Sequence, residues 1–538
     1  MTHSQYPENS PSPEVRIDSG VLSGLPFPNN TRAFLGIPYA APPIGDLRWR
    51  PPQRPESWEN VRPAVKFGPS SLQFPLPENS IYQGGESEFS EDCLYLNIYT
   101  GSGGDNRPVL VWFHFGAFIF GSSSNPVYDG TNLAREGLTV VTVNYRLGRL
   151  GFLAHPELSD ESSHKTSGNY GIMDQIAALE WVRRNIKAFG GDPNNVTIGG
   201  ASAGGASVHI LRSSPLAKGL FSKAICESGP GVAPALDGHG HLAAYTTLAS
   251  GEMAGVELLA AVGASSIAEL RRIPAETIMA ASLPRAEGQW KSDMWHASTS
   301  LSMFDTSNPI VDGYVLPESP LATLLSGRMS DVPLLAGNSL DEATSLPYLD
   351  SLVEYRAYAK ETFGEQEEEF LRLYPATTDS EVRSACFNLL ADQVFVWPTW
   401  SSAELQAIKM SSPAWYYRFA RAPPIAGEVA ESKSAGAFHC AGVPYAFGNL
   451  NNWKNWDWTD ADRALSKSIL ETWVRFITSG NPNATEMDSP TWPPLSSTGR
   501  NIRIWDLEPR IEVLESRFDQ MSAFWKAHYG VNKHLSAQ

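Results

Sequence analysis

The segment Gly200-Ala201-Ser202-Ala203-Gly204 sets one serine hydroxyl among four small residues. On a sharp turn between a strand and a helix, such a serine is lifted above the sheet. It then stands beside the helix N-terminus, where backbone N–H groups favour negative charge. The context fits: VTIGG (196–200) reads as a short buried strand, and AGGASVHILR opens a helix after it. The plainer reading is a glycine-rich turn without chemistry. A serine hydroxyl is a poor nucleophile until a base takes its proton. The base expected is a histidine oriented by a carboxylate, in the chain order serine, acid, histidine. Of eleven histidines, His439 stands late in the chain among small and apolar residues, in GAFHCAGVPYAFGN. An acid is expected after an intervening strand, and PLLAGNSLDEATS offers both Asp341 and Glu342. Spacing does not choose between them. A tetrahedral oxyanion needs donors. The Ala203 N–H supplies one, and VLVWFHFGAFIFG offers Gly116 and Ala117, although a glycine there also makes an ordinary bend.

These residues need a scaffold, and the chain alternates strand and helix patterns. VRIDSGVLSG and AFLGIPYA suggest antiparallel edge strands, and CLYLNIYT (93–100) alternates as a strand. VLVWFHF (109–115) and LTVVTVNY (138–145) are near-continuous apolar runs, which suits parallel strands buried on both faces. Residues 169–189 carry Ile172, Ile176, Leu179, Val182 and Ile186 at helical spacing. Further helices are expected over 251–304, 354–374 and 460–478, and a long surface loop over 69–90. The pattern predicts an α/β protein with a large, mostly parallel central sheet, flanking helices and helical insertions. No domain boundary is visible: residues 1–14 read as a flexible tail and 15–538 as one domain.

Composition narrows the function classes. Forty-one basic against 58 acidic residues give a net charge of −17, which repels phosphate backbones, so no nucleic-acid partner is expected. No apolar run approaches the ~18 residues of a membrane helix. The four cysteines, Cys93, Cys226, Cys386 and Cys440, have neither metal-ligand nor redox spacing, so no metal or cofactor is expected. The polar, Pro-rich start differs from a signal peptide, and a cytoplasmic location is expected. Many aromatics suit an apolar gorge, with Trp290, Trp295, Phe395 and Trp397 in regions able to line it.

The motifs together resemble the type-B carboxylesterases, the group that includes cholinesterases, fungal lipases and the catalytically dead neuroligins. FGGDPNNVTIGGASAGG is similar to that family's serine signature and SEDCLYLNIYT to its second signature. FLGIPYAAPPIGDLRW, VTVNYRLGRLGFL, GNYGIMDQIAALEWVRRNI and VDGYVLP resemble further blocks in the family order. The resemblance spans about residues 15–525. It implies an α/β-hydrolase fold, Ser202 as nucleophile, Glu342 rather than Asp341 as acid, His439 as base, and Gly116, Ala117 and Ala203 as oxyanion donors. An Arg48–Glu91 ion pair is also implied.

Four departures from the family pattern stand out. The usual H-G-G-G-F reads His114-Phe115-Gly116-Ala117-Phe118, so Phe115 and Ala117 are expected to narrow the pocket beside the reacting carbon. Ser71 stands where a half-cystine often sits, which leaves Cys93 unpaired and fits a reducing compartment. Ala201 replaces the glutamate that cholinesterases carry before the nucleophile, and SIYQGGESEFS lacks the choline-stacking tryptophan. Gly442 replaces a glutamate after the histidine. The expected activity is hydrolysis of small-molecule carboxylic esters through an acyl-enzyme. The alternatives are an acyltransferase or cyclase using the same intermediate, and a non-catalytic binding protein. Oligomeric state is left open.

Overall fold

The computed structural model describes residues 12–535, except 28–29, 77–79, 87, 102, 238–244, 282–306, 345, 426–434, 454–455, 485–490, 497–498 and 515. Its centre is an eleven-stranded sheet. The strands are β1 (Leu25–Phe27), β2 (Thr31–Pro38), β3 (Tyr95–Gly101), β4 (Arg107–Phe113), β5 (Thr139–Val143) and β6 (Gly191–Ala201). They continue with β7 (Lys223–Glu227), β8 (Leu334–Ser339), β9 (Ala414–Phe419), β10 (Asn501–Trp505) and β11 (Arg510–Val513). Their spatial order is β11-β10-β9-β8-β7-β6-β4-β5-β3-β2-β1. Seven neighbouring strands, from β5 through β4, β6, β7, β8 and β9 to β10, run parallel, and the outer pairings are antiparallel.

Residue type dictates this arrangement. Val109, Leu110, Val111, Trp112 and Phe113 of β4 are all buried, as are all five residues of β5, so neither strand keeps a polar face for water. Each such large apolar side chain contributes about 1.5–3 kcal/mol when fully buried. The outer β11 has no buried residue. Helix α1 (Tyr170–Asn185) buries the apolar positions at helical spacing against the sheet. Helix α2 (Ala203–Ser213) starts directly after β6. Helix α3 (Trp397–Lys409) packs on β8 and β9. In α4 (Asp460–Ser479), Thr459 and Asp462 form a capping box and Gly480, at φ 79°, stops the helix.

One expectation changes. The 69–90 segment is not wholly superficial: Ser70, Ser71, Ser80, Ile81 and Tyr82 are buried, because short β-pairing between Ser70–Ser71 and Phe89–Ser90 folds it back onto the core. Over 248–281 the expected helices are Leu248–Ala261, Ile267–Leu270 and Ala275–Ala280, and residues 282–304 of that expectation lie outside the described residues. The Arg48–Glu91 pair is present and bidentate, with N···O distances of 2.6 and 2.7 Å. All four cysteines are unpaired and buried. The Cys93 thiol is pushed up to about 12, first by burial and then by the charge of Asp174, while a hydrogen bond with Ser71 opposes the shift.

Candidate active site

Ser202, Glu342 and His439 all follow the carboxyl ends of parallel strands, the edge at which open α/β sheets place their sites. Ser202 has φ 55° and ψ −120°, a region that L-residues rarely occupy. Its N–H donates to the Glu227 carbonyl at the tip of β7 (2.9 Å), and its own carbonyl accepts from Ala206 N–H (2.8 Å). One bond fixes the turn to the sheet and the other begins α2. Gly204 is required by close approach: a Cβ there would lie 2.0 Å from the Phe113 carbonyl oxygen. That contact sets the start of α2 against the end of β4 and hence against the loop beginning at His114.

The carboxyl group of Glu342 is fully buried. Its Oε1 accepts from the Ser228 hydroxyl, from Ser339 N–H (2.7 Å) and from Asn338 Nδ2 (3.2 Å). Its Oε2 hydrogen-bonds His439 Nδ1. Asp341 has a different task. Its Oδ2 accepts from Ala437 N–H (2.7 Å) and its N–H donates to the Ala437 carbonyl (3.0 Å), so it braces the backbone that carries His439. The ambiguity between adjacent acids resolves into one that faces the imidazole and one that holds its loop.

With Nδ1 engaged, His439 Nε2 is the ring atom left to take a proton, and it is buried without a hydrogen-bond partner among the described residues. Ser202 and His439 are each 9% exposed. A π-helical turn over Ala391–Val396 brings Phe395 onto the imidazole, with ring centroids 4.0 Å apart. The Tyr82 hydroxyl donates to the His439 carbonyl at 3.3 Å. Sequence reading missed Ser228 and Tyr82 as supports. The Ser228 signal was available, since a polar residue closing the apolar run KAIC-Glu-Ser lies at a strand's carboxyl end.

The loop expected to supply oxyanion donors takes an unusual backbone. Gly116 has φ 124°, and a Cβ there would sit 1.9 Å from the Phe120 carbonyl oxygen. Ala117 and Phe118 follow at φ 51° and 61°. Its first residue, His114, stacks on Tyr145 and is held down to about 4 by burial, so it is neutral at pH 7. Ala203 occupies the first turn of α2, where a backbone donor has no acceptor within its helix.

The expected pocket residues separate. Phe115 is 5% exposed and packs its ring edge-on against Tyr82, Phe120 and Tyr128. Its bulk fills an aromatic cluster. Phe115→Gly is therefore expected to cost about 3–5 kcal/mol of stability. The tert-butyl to n-butyl acetate rate ratio should stay within about threefold of wild type, because a steric gate is worth more than that. Chemical denaturation and paired turnover measurements check both. Trp397 is also corrected, since it is fully buried with its ring toward Tyr529. The Ala201 methyl is fully buried, paired across the sheet with Glu227, and offers no surface to substrate. Trp290 and Trp295 lie outside the described residues.

Comparison with known proteins follows the same lines. The family model described as "Carboxylesterase family" matches residues 11–525. The chain is 38% identical over 444 residues to the fumonisin B1 esterase of Sphingopyxis macrogoltabida, covering 80% of this chain and 74% of that one. It is 35% identical over 502 residues to the para-nitrobenzyl esterase of Bacillus subtilis (strain 168), covering 90% and 93%. A solved PNB esterase superposes with a TM-score of 0.78 at 34% identity, covering 95% of this chain and all of that one.

Proposed function

The chain belongs to the carboxylesterase family, and from that premise we propose how its own residues carry out ester hydrolysis. It is a carboxylic ester hydrolase with the α/β-hydrolase fold. In our reading His439 Nε2 takes the proton of the Ser202 hydroxyl as Ser202 Oγ attacks the ester carbonyl. Glu342 holds the ring through Nδ1 and stabilises the imidazolium that forms. The N–H groups of Gly116, Ala117 and Ala203 receive the oxyanion. The alkoxide leaves with the proton from His439, and water activated by the same nitrogen then hydrolyses the acyl-enzyme. The observations that carry this reading are the buried Glu342–His439 hydrogen bond and a serine held at φ 55° on the strand–helix turn after β6.

The relatives are named for esters as different as fumonisin B1 and para-nitrobenzyl compounds, which supports small or hydrophobic esters as the substrate class. A panel of esters, thioesters and lactones, run with and without an added acceptor alcohol, tests it. Acyl transfer exceeding hydrolysis in that panel would instead favour the transferase alternative. The strands of one sheet run from Leu25 to Val513, which supports reading 15–538 as a single catalytic domain. Among the described residues no helix is long and apolar enough to cross a membrane. Cys93 beside Ser71, with the other three thiols buried and unpaired, supports a cytoplasmic location.

Choline esters are expected to gain nothing from their charge. Tyr82, an aromatic residue of the 69–90 segment, already packs its ring against Phe115 and Phe438. The residue before the nucleophile, Ala201, carries no carboxylate. A cation–π site is worth about 0.5–2 kcal/mol, and with neither cholinesterase element in the sequence acetylcholine and its uncharged 3,3-dimethylbutyl isostere are expected within about threefold in kcat/KM. A preference above about tenfold for the quaternary ammonium would contradict this.

A further inference from the structure

Glu227 is a buried carboxyl that the steps above do not use. It ends β7 and pairs in register with Ala201, and its carbonyl holds the Ser202 N–H. The side chain is 2% exposed. Oε2 accepts one hydrogen bond, from the Tyr417 hydroxyl at 3.1 Å. Oε1 has no partner among the described residues, and it points at Gly442, where a Cβ would lie only 3.1 Å away. No ion pair reaches the group among those residues. The titratable groups facing it are Tyr417 from β9, Glu342 from beyond β8, Cys440 from the loop after His439, and its strand neighbour Cys226. None is a cation.

Two buried carboxyls thus share one site with unequal support. Glu342 receives the Ser228 hydroxyl, the Ser339 N–H, the Asn338 amide and the imidazole, whereas Glu227 receives one phenol. Pairs of titratable groups whose surroundings differ in this way divide their protonation states. Taking the triad as read above, we propose that Glu227 is a positioning residue that remains a neutral carboxylic acid during turnover. Glu342 is then the only carboxylate acting on His439, and ionisation of Glu227 lowers the rate. The direction follows from charge balance. In the transition state the imidazolium is already matched by Glu342, and the oxyanion adds a second negative charge. A further carboxylate under the Ser202 turn has nothing to offset it. Burial, aided by the charge of Glu342 and opposed by the Tyr417 hydrogen bond, pushes the Glu227 carboxyl up to about 8.

The test is kcat/KM for a neutral ester from pH 6 to 10, corrected for spontaneous hydrolysis, on the intact protein. Wild type should fall on the alkaline side with an inflection near 8. Glu227→Gln, an isostere of the protonated acid, should keep the pH 7 rate within about threefold and lose that fall. Tyr417→Phe removes the donor that favours the ionised form, so the inflection should move to higher pH. Stability gives a second readout. The carboxyl binds its proton more tightly folded than unfolded, so its contribution to stability declines as pH rises from the ordinary glutamate range towards 8. The melting temperature of Glu227→Gln relative to wild type should therefore climb across that window. An alkaline limb that persists in Glu227→Gln overturns the proposal. So does an unmoved inflection in Tyr417→Phe, which decides the matter if Glu227→Gln does not fold. Phosphonate labelling of Ser202 in the same samples keeps this failure separate from failure of the triad reading.

Discussion

Ser202→Ala is expected to fold normally and to lose nearly all ester hydrolysis, with rates falling by about 10⁶, as removal of a nucleophile does in other serine hydrolases. The substitution deletes one oxygen from a residue whose backbone is tied to Glu227 and Ala206, so the turn itself should survive. An organophosphonate should label wild type at Ser202 and leave the variant unlabelled. Circular dichroism and thermal melting establish that the fold is intact. Ester turnover by the folded variant at a wild-type rate would remove the mechanism, because the Ser202 hydroxyl would then not be needed.

The second large effect separates two neighbouring acids. Glu342→Gln should lower kcat/KM by roughly 10³–10⁴, by analogy with the Asp-to-Asn change in the serine-protease triad. An amide in that position presents a dipole where the imidazolium needs a charge, and its N–H₂ would compete with the three donors that now converge on Oε1. Asp341→Asn should cost no more than about tenfold, since an amide oxygen can still accept from Ala437 N–H. Parallel kinetics on p-nitrophenyl acetate check the ranking, and a reversed order would show that the loop brace, not the ring partner, governs catalysis.

Where a property lived in a run of adjacent residues, it was legible in the sequence. The buried runs of β4 and β5, the helical spacing of α1 and the strand–serine–helix turn are local patterns, and each appears where expected. The choice between Asp341 and Glu342 was not local. Both lie in one loop, and only the pairing of that loop with residues 437–439 tells which carboxyl meets the ring. Family resemblance supplied the choice; spacing did not. Ring directions were equally hidden. Phe115 and Trp397 were expected at the pocket, yet their rings pack against aromatic residues outside their own runs, Tyr128 and Tyr529. Phe395 depends on a π-helical turn, one extra residue per turn that no periodicity in the sequence announces.

The hydrogen bond between Glu342 and His439 joins residues 97 positions apart, with β9 and the Asp341-braced loop between them. A ribosome working at about 5–20 residues per second needs roughly 5–20 s to cross that gap. On the proposed mechanism, the emerging polypeptide throughout that interval already holds Ser202 but not yet His439, the residue proposed to activate it. That mechanism makes the nascent enzyme silent. Its activity switches on only when late-made chain docks onto early-made sheet, which makes the first burst of turnover in a cell-free translation a clock for the final docking step.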